Sequence, residues 1–133
     1  MHSLFKKIYY HDTDKAGVVY YANYLKYFEE ARTEFFLVKG VDIKELAEEG
    51  ILFVVRRIEV DYKYPAFYGQ EIEVVTEAEK VKNVSILFSQ YVKDKDSILV
   101  ESKALLVCVN EKFKPRAVPP GIRDKLSGLQ NNK

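Results

Sequence analysis

Asn23-Tyr-Leu-Lys-Tyr-Phe-Glu-Glu-Ala-Arg-Thr-Glu-Phe-Phe-Leu-Val-Lys39 decides the fold. Tyr24, Phe28, Ala31, Phe35 and Val38 recur at spacings of four and three, and Leu25 and Tyr27 widen the stripe. Apolar side chains at those intervals share one face of a 3.6-residue helix, so the stretch predicts a long amphipathic helix with a broad aromatic buried side. Lys26, Glu30, Thr33 and Glu34 fall on the opposite side. Gly40 then supplies a stop, because glycine tolerates the positive φ that ends helices.

Downstream, Asp42-Ile-Lys-Glu45 has the spacing of a capping box and predicts a short helix closed by Gly50. Beyond it the period changes from helical to alternating. Between Phe53 and Tyr64 one parity reads Val54, Arg56, Ile58, Val60, Tyr62, Tyr64 and the other Val55, Arg57, Glu59, Asp61, Lys63, a strand with one wet face. Pro65 and Gly69 bracket a turn, after which Ile72, Val74, Thr76 and Ala78 alternate with Glu71, Glu73, Val75, Glu77 and Glu79. Val84 to Val92 and Ile98 to Val109 are more continuously apolar and read as central strands joined by Lys93-Asp-Lys-Asp-Ser97. Upstream, residues 4 to 10 suit a first strand, ended by the polar cluster His11-Asp-Thr-Asp-Lys15. The expected architecture is α+β: one strand, a long helix, a short helix and four strands, with a five-stranded antiparallel sheet wrapped around the long helix. One helix cannot cover both faces of such a sheet or shield its edges, so oligomerisation is expected.

The chain has 133 residues, and its 21 basic and 20 acidic side chains leave a formal charge of +1. That is one domain, with a core but little room for an enclosed catalytic cavity. The charge balance disfavours nucleic-acid binding. No segment resembles a signal peptide or a stable membrane insertion, so a cytoplasmic protein is expected. His2, His11 and Cys108 are too few for a zinc site, and Cys108 lies in an apolar run that reads as core. The polar end, Ser127 to Lys133, reads as a frayed tail.

Chemistry concentrates between Tyr10 and Tyr24. Asp12 and Asp14 stand in a loop just before a helix whose first N–H groups lack intrahelical partners, so a carboxylate and oxyanion donors fall close together in the chain. Acyl transfer needs that pairing. Taken alone, an Asp in such a loop is more commonly a turn former or cap.

Asp12-Thr-Asp-Lys-Ala-Gly-Val-Val-Tyr-Tyr-Ala-Asn-Tyr-Leu-Lys-Tyr-Phe-Glu-Glu-Ala-Arg-Thr-Glu34 resembles the signature of the 4-hydroxybenzoyl-CoA thioesterase family of hotdog-fold proteins, closest to its Tol-Pal-associated acyl-CoA thioesterase branch. Pro65 and the ending Lys114-Pro-Arg-Ala-Val-Pro-Pro120 are similar too, so the resemblance covers about residues 4 to 125. It implies an acyl-CoA thioesterase with no metal or cofactor, in which Asp14 is nucleophile or general base and the Tyr21 backbone N–H polarises the thioester carbonyl. Gly17 would let substrate approach the backbone, beside Val18, and Tyr24 with its neighbouring tyrosines would wall an acyl pocket. Lys82 and Ser85, with Asn83, match positions where relatives meet the nucleotide phosphates, to which Lys114 and Arg116 could add charge. Asp12 is expected to fix the loop by hydrogen bonds. Tyr21 departs from the histidine common in that branch, which leaves the backbone role intact because every residue but proline has an N–H.

Some hotdog thioesterases place their carboxylate on the long helix, which makes Glu29 and Glu30 competing candidates. Glu29 and Arg32, however, have the spacing of an i,i+3 ion pair. The family builds its site at a dimer interface, so a homodimer or a dimer of dimers is expected, each protomer supplying half a cavity. A non-catalytic module binding acyl-CoA or acyl-carrier protein, or a partner-binding protein of the cell envelope, are the alternative readings.

Overall fold

The computed structural model describes residues 1–127. The chain runs β1 (His2–Lys7), α1 (Asn23–Val38), α2 (Ile43–Glu48), β2 (Leu52–Tyr62), β3 (Glu71–Val81), β4 (Ser85–Asp94), β5 (Ser97–Val109) and α3 (Pro120–Ser127). All strand pairs are antiparallel, in the order β1-β3-β4-β5-β2. This is the hotdog arrangement, with α1 lying along the inner face of the sheet. The four strands expected after the helices all form, and β4 and β5 are interior as their apolar runs require. β2 sits at the far edge beside β5, because α1 carries the chain across the sheet before β2 begins.

Tyr24, Tyr27, Phe28, Ala31 and Phe35 of the expected helical face are buried, but Leu25 and Val38 of that stripe are exposed and Phe36 turns into the core instead. Phe35 and Phe36 meet Phe88 edge-on, with ring centroids 5.5 and 5.6 Å apart, and Phe36 stacks on Phe53 at 5.4 Å. Each such side chain removed from water contributes about 1.5–3 kcal/mol. Asp42 caps α2, its carboxylate accepting from Lys44 N at 3.0 Å.

A polar row divides this core. Thr76, Gln90 and Ser102 stand in register on β3, β4 and β5, all buried. Arg32, also buried, donates from Nη1 to Gln90 Oε1 at 2.9 Å, and Gln90 Nε2 donates to Phe28 O at 2.9 Å and Thr76 Oγ1 at 3.0 Å. One apolar cluster, with Tyr24, Tyr27 and Phe28, lies on one side of the row. The other, with Phe35, Phe36 and Phe88, lies on the far side.

Several expectations are corrected. β1 covers His2–Lys7 rather than 4 to 10, and Tyr10–Asp12 forms a turn of 3-10 helix. Its bonds Asp12 N to Tyr9 O and Thr13 N to Tyr10 O take the chain off the sheet. Strict alternation fails in β2, where a bulge between Val55 and Arg57 inserts an extra residue. Phe53 and Ile58, of opposite parity, therefore both reach the core. The i,i+3 pair of Glu29 and Arg32 is not formed, because the guanidinium turns to Gln90, while Glu30 pairs with Lys6 at 2.7 Å. Ser127 closes α3, whose Ile122 and Leu126 pack on the second cluster, so the expected tail does not begin there. The remainder of that tail, 128–133, lies outside the described residues.

Candidate active site

Asp14 opens a tight turn. Gly17 N donates to Asp14 O at 3.0 Å, Asp14 N donates to Val18 O at 2.9 Å, and Thr13 bridges to Val19 across the turn. Gly17 has φ +81°, so the hairpin is a type I turn closed by a left-handed glycine. A Cβ there would meet nothing within 4 Å, so backbone conformation selects glycine at this position. The Asp14 side chain is exposed, with Oδ1 accepting from Ala16 N at 2.9 Å. Oδ2 has no hydrogen-bond partner among the described residues.

Asp12 has the structural part expected of it. It is buried, its Oδ2 accepts from Tyr9 N at 2.9 Å, and its carbonyl accepts from Tyr20 N at 3.0 Å and Asn23 Nδ2 at 2.9 Å. These bonds tie the Asp14 turn to the start of α1. Tyr27, fully buried beneath the loop, is pushed well up from the usual phenol range, chiefly by burial and further by the Asp12 carboxylate.

The helix start is open to an anion. Ala22 is the N-cap, no side chain caps it, and the first turn carries no acidic residue. Among the described residues neither Tyr21 N nor Ala22 N donates to any acceptor, so two consecutive N–H groups stand free at the positive end of a sixteen-residue helix. Tyr21 is exposed, its ring 4.9 Å from that of Tyr20 and 6.1 Å from that of Tyr62. Beside this start lies a cavity of about 250 Å³ lined by Val19, Tyr21, Tyr24, Tyr62, Lys63, Tyr64 and Pro65. Tyr24 is buried at its wall, its hydroxyl accepting from Ala66 N at 3.2 Å, and burial pushes its phenol up. Val18 bridges to Phe67, and Gly17 O accepts from Tyr68 N at 3.1 Å, which joins the Asp14 turn to the loop after β2.

Gly17 and Val18 thus belong to the Asp14 turn, Tyr21 and Tyr24 line the cavity at the start of α1, and Asp12 bonds the two parts of the loop together. The structure does not bring Lys82 and Ser85 to them within one chain. Those residues close the β3–β4 hairpin, where Lys82 N donates to Ser85 O at 2.8 Å. The Asp14 turn sits at the opposite end of β3, about 33 Å away at the usual rise along its eleven residues. Arg123 donates to Asn83 Oδ1 at 3.2 Å beside Lys82, so α3 adds a cation to that end. Glu29 is exposed on α1, outside the loop cluster. The residues missed from sequence are Tyr62, Lys63 and Tyr64, which alternation assigned to strand faces. Tyr62 is the last residue of β2, and Pro65, which ends the run, was the available signal that Lys63 and Tyr64 turn into a loop.

The fold and this loop define a class. The chain belongs to the thioesterase-like superfamily, whose model matches residues 9–126. It is 39% identical over 118 residues to the acyl-CoA thioester hydrolase YbgC of Escherichia coli, covering 87% of this chain and 88% of that protein. The acyl-CoA thioesterase YbgC of Helicobacter pylori is 36% identical, over 92% of this chain and 98% of its own length. Among solved structures, a probable thioesterase from Bartonella henselae superimposes with a TM-score of 0.84 at 34% identity, covering 89% of this chain and 98% of that one.

Proposed function

We propose that the chain is an acyl-CoA thioesterase, converting an acyl-CoA and water to a carboxylic acid and free CoA. The observation that carries this reading is the single hydrogen-bonded loop in which an exposed carboxylate with a free oxygen, on Asp14, precedes two unpaired N–H groups at a helix start. Family membership supports it. The Tyr21 N–H takes the thioester oxygen as negative charge develops there. Asp14 either attacks the carbonyl carbon itself or takes the proton of the attacking water. The carbon–sulfur bond then breaks, the departing thiolate takes up a proton, and where Asp14 itself has attacked, water cleaves the resulting acyl anhydride to release the acid and restore the carboxylate. The acyl group enters between Tyr24, Tyr62 and Tyr64, with Gly17 and Val18 along its path.

The same reading calls for a second copy of the chain and a cytoplasmic setting. Lys82 and Ser85 are too far from Asp14 to share a substrate in cis, whereas a two-fold partner would bring its own hairpin to the site. An open β2 edge supports pairing. Among the described residues no helix is long and apolar enough to cross a membrane. The test follows thiol release from a panel of acyl-CoAs by wild type and Asp14→Asn. Wild type turns over and Asp14→Asn loses at least about 100-fold in kcat, the lower range for a lost general base. Binding of CoA without thiol release by wild type would instead make the chain a binding module. Full activity in Asp14→Asn would move the site to Glu29 or Glu30.

A further inference from the structure

The Tyr21 carbonyl is where the edge strand reaches the helix start. At the end of β2 the Tyr62 hydroxyl donates to Tyr21 O at 3.4 Å, and the same oxygen accepts from Tyr24 N at 3.3 Å. Both bonds are long, and ring packing reinforces them. The Tyr62 ring stands edge-on to Tyr21 at 6.1 Å and tilted against Tyr24 at 5.7 Å. Tyr24 cannot yield, since it is buried and pinned by Ala66 N.

The Tyr21 carbonyl and the Ala22 N–H belong to one planar peptide unit. Whatever fixes the carbonyl therefore fixes where that N–H points. A donor on the oxygen also polarises the unit and strengthens its N–H as a donor. The preceding unit, which carries the Tyr21 N–H, is held by Asn23 N on Tyr20 O at 2.9 Å. No side chain caps α1, so nothing competes for either N–H.

We infer that Tyr62 is a positioning residue for thioester hydrolysis, its hydroxyl aiming the Tyr21–Ala22 peptide so that the Ala22 N–H joins the Tyr21 N–H in holding the oxyanion. This rests on the thioesterase reading above. Tyr62 touches no reacting atom. It acts through the backbone, from a strand that the helix start does not otherwise contact by hydrogen bond.

Tyr62→Phe keeps the ring and removes only the hydroxyl, at a residue 44% exposed, so the fold is retained. Its kcat falls about five- to tenfold, less than the loss of a whole oxyanion donor, while KM stays within about twofold. The melting temperature is unchanged. In amide spectra of the intact protein the Ala22 N–H resonance moves. Unchanged kcat, a loss confined to KM, or an unmoved Ala22 resonance overturns the role of Tyr62. Asp14→Asn, assayed alongside, separates the two readings. If it is inactive and Tyr62→Phe is fully active, only the positioning role falls. If wild type and Asp14→Asn release thiol equally, the site assignment falls and Tyr62 with it.

Discussion

Gln90 pairs two buried side chains, of Arg32 and Thr76, that have no other hydrogen bond among the described residues, and ties them to the backbone of α1. Its amide accepts from the buried Arg32 guanidinium and donates to the Phe28 carbonyl and the Thr76 hydroxyl. Burial pulls the Arg32 pKa down from its usual range, opposed by Glu29, and among the described residues no carboxylate is bonded to this guanidinium. Breaking such a network at one member leaves the others desolvated and unsatisfied. Gln90→Leu is therefore expected to cost about 3 kcal/mol in urea unfolding at unchanged m-value. Adding Arg32→Met to it removes the stranded charge and recovers most of that loss. A double variant as unstable as the sum of the singles would mean that the two side chains are not coupled.

At the level of elements, β2 is the case where period and packing part. Phe53 and Ile58 have opposite parity, and only the bulge between Val55 and Arg57 lets both point at α1. Deleting Arg56 restores strict alternation and forces one of the two out of the core. The expected loss is up to about 3 kcal/mol, the cost of returning one of these partly buried side chains to water, read as a lower denaturation midpoint. A deletion variant as stable as wild type would show that the bulge carries no register information. This is also why α1 was legible from the chain alone and β2 only partly so. Aromatic residues at spacings of three and four have one geometric solution, whereas a bulge leaves no mark in an alternating pattern because either parity of Val54 and Val55 is apolar. α3 was missed for a related reason. Pro119, Pro120 and Gly121 are poor residues for a helix interior, yet a proline is suited to a first helical turn because its absent N–H would be unpaired there anyway. Asp42, by contrast, announced α2 as its N-cap, although its side chain accepts from Lys44 N alone and the reciprocal Glu45 bond of a capping box is not formed.

Over the whole molecule, the tyrosines bind stability to pH. Burial raises the phenols of Tyr24, Tyr27 and Tyr62 above their ordinary value of 10.0. The folded state therefore holds their protons more tightly than the unfolded chain. Their contribution is fully present below about pH 10 and is lost as pH rises further, because the unfolded chain then binds fewer protons than the native one. Melting temperature should fall above pH 10 together with the rise of phenolate absorbance. A flat profile through that range would contradict the burial of the Tyr24 and Tyr27 hydroxyls. The site has its own whole-molecule consequence. The Asp14 loop was legible as a motif, but its distance from Lys82 was not, since sequence position carries no information about which end of β3 each residue reaches. If a two-fold partner supplies Lys82, a chain with Asp14→Asn and a chain with Lys82→Glu are each impaired alone at low acyl-CoA concentration. Co-expressed, they form mixed dimers in which Asp14 of one chain faces Lys82 of the other, so one of the two sites is intact. Half the dimers are mixed, so activity should return to about one quarter of wild type. A site built within one chain cannot be restored this way, because the mixed dimer then carries one defect in each site. Recovery in the co-expressed sample, absent when the separately purified variants are combined without subunit exchange, would assign Asp14 and Lys82 to opposite protomers.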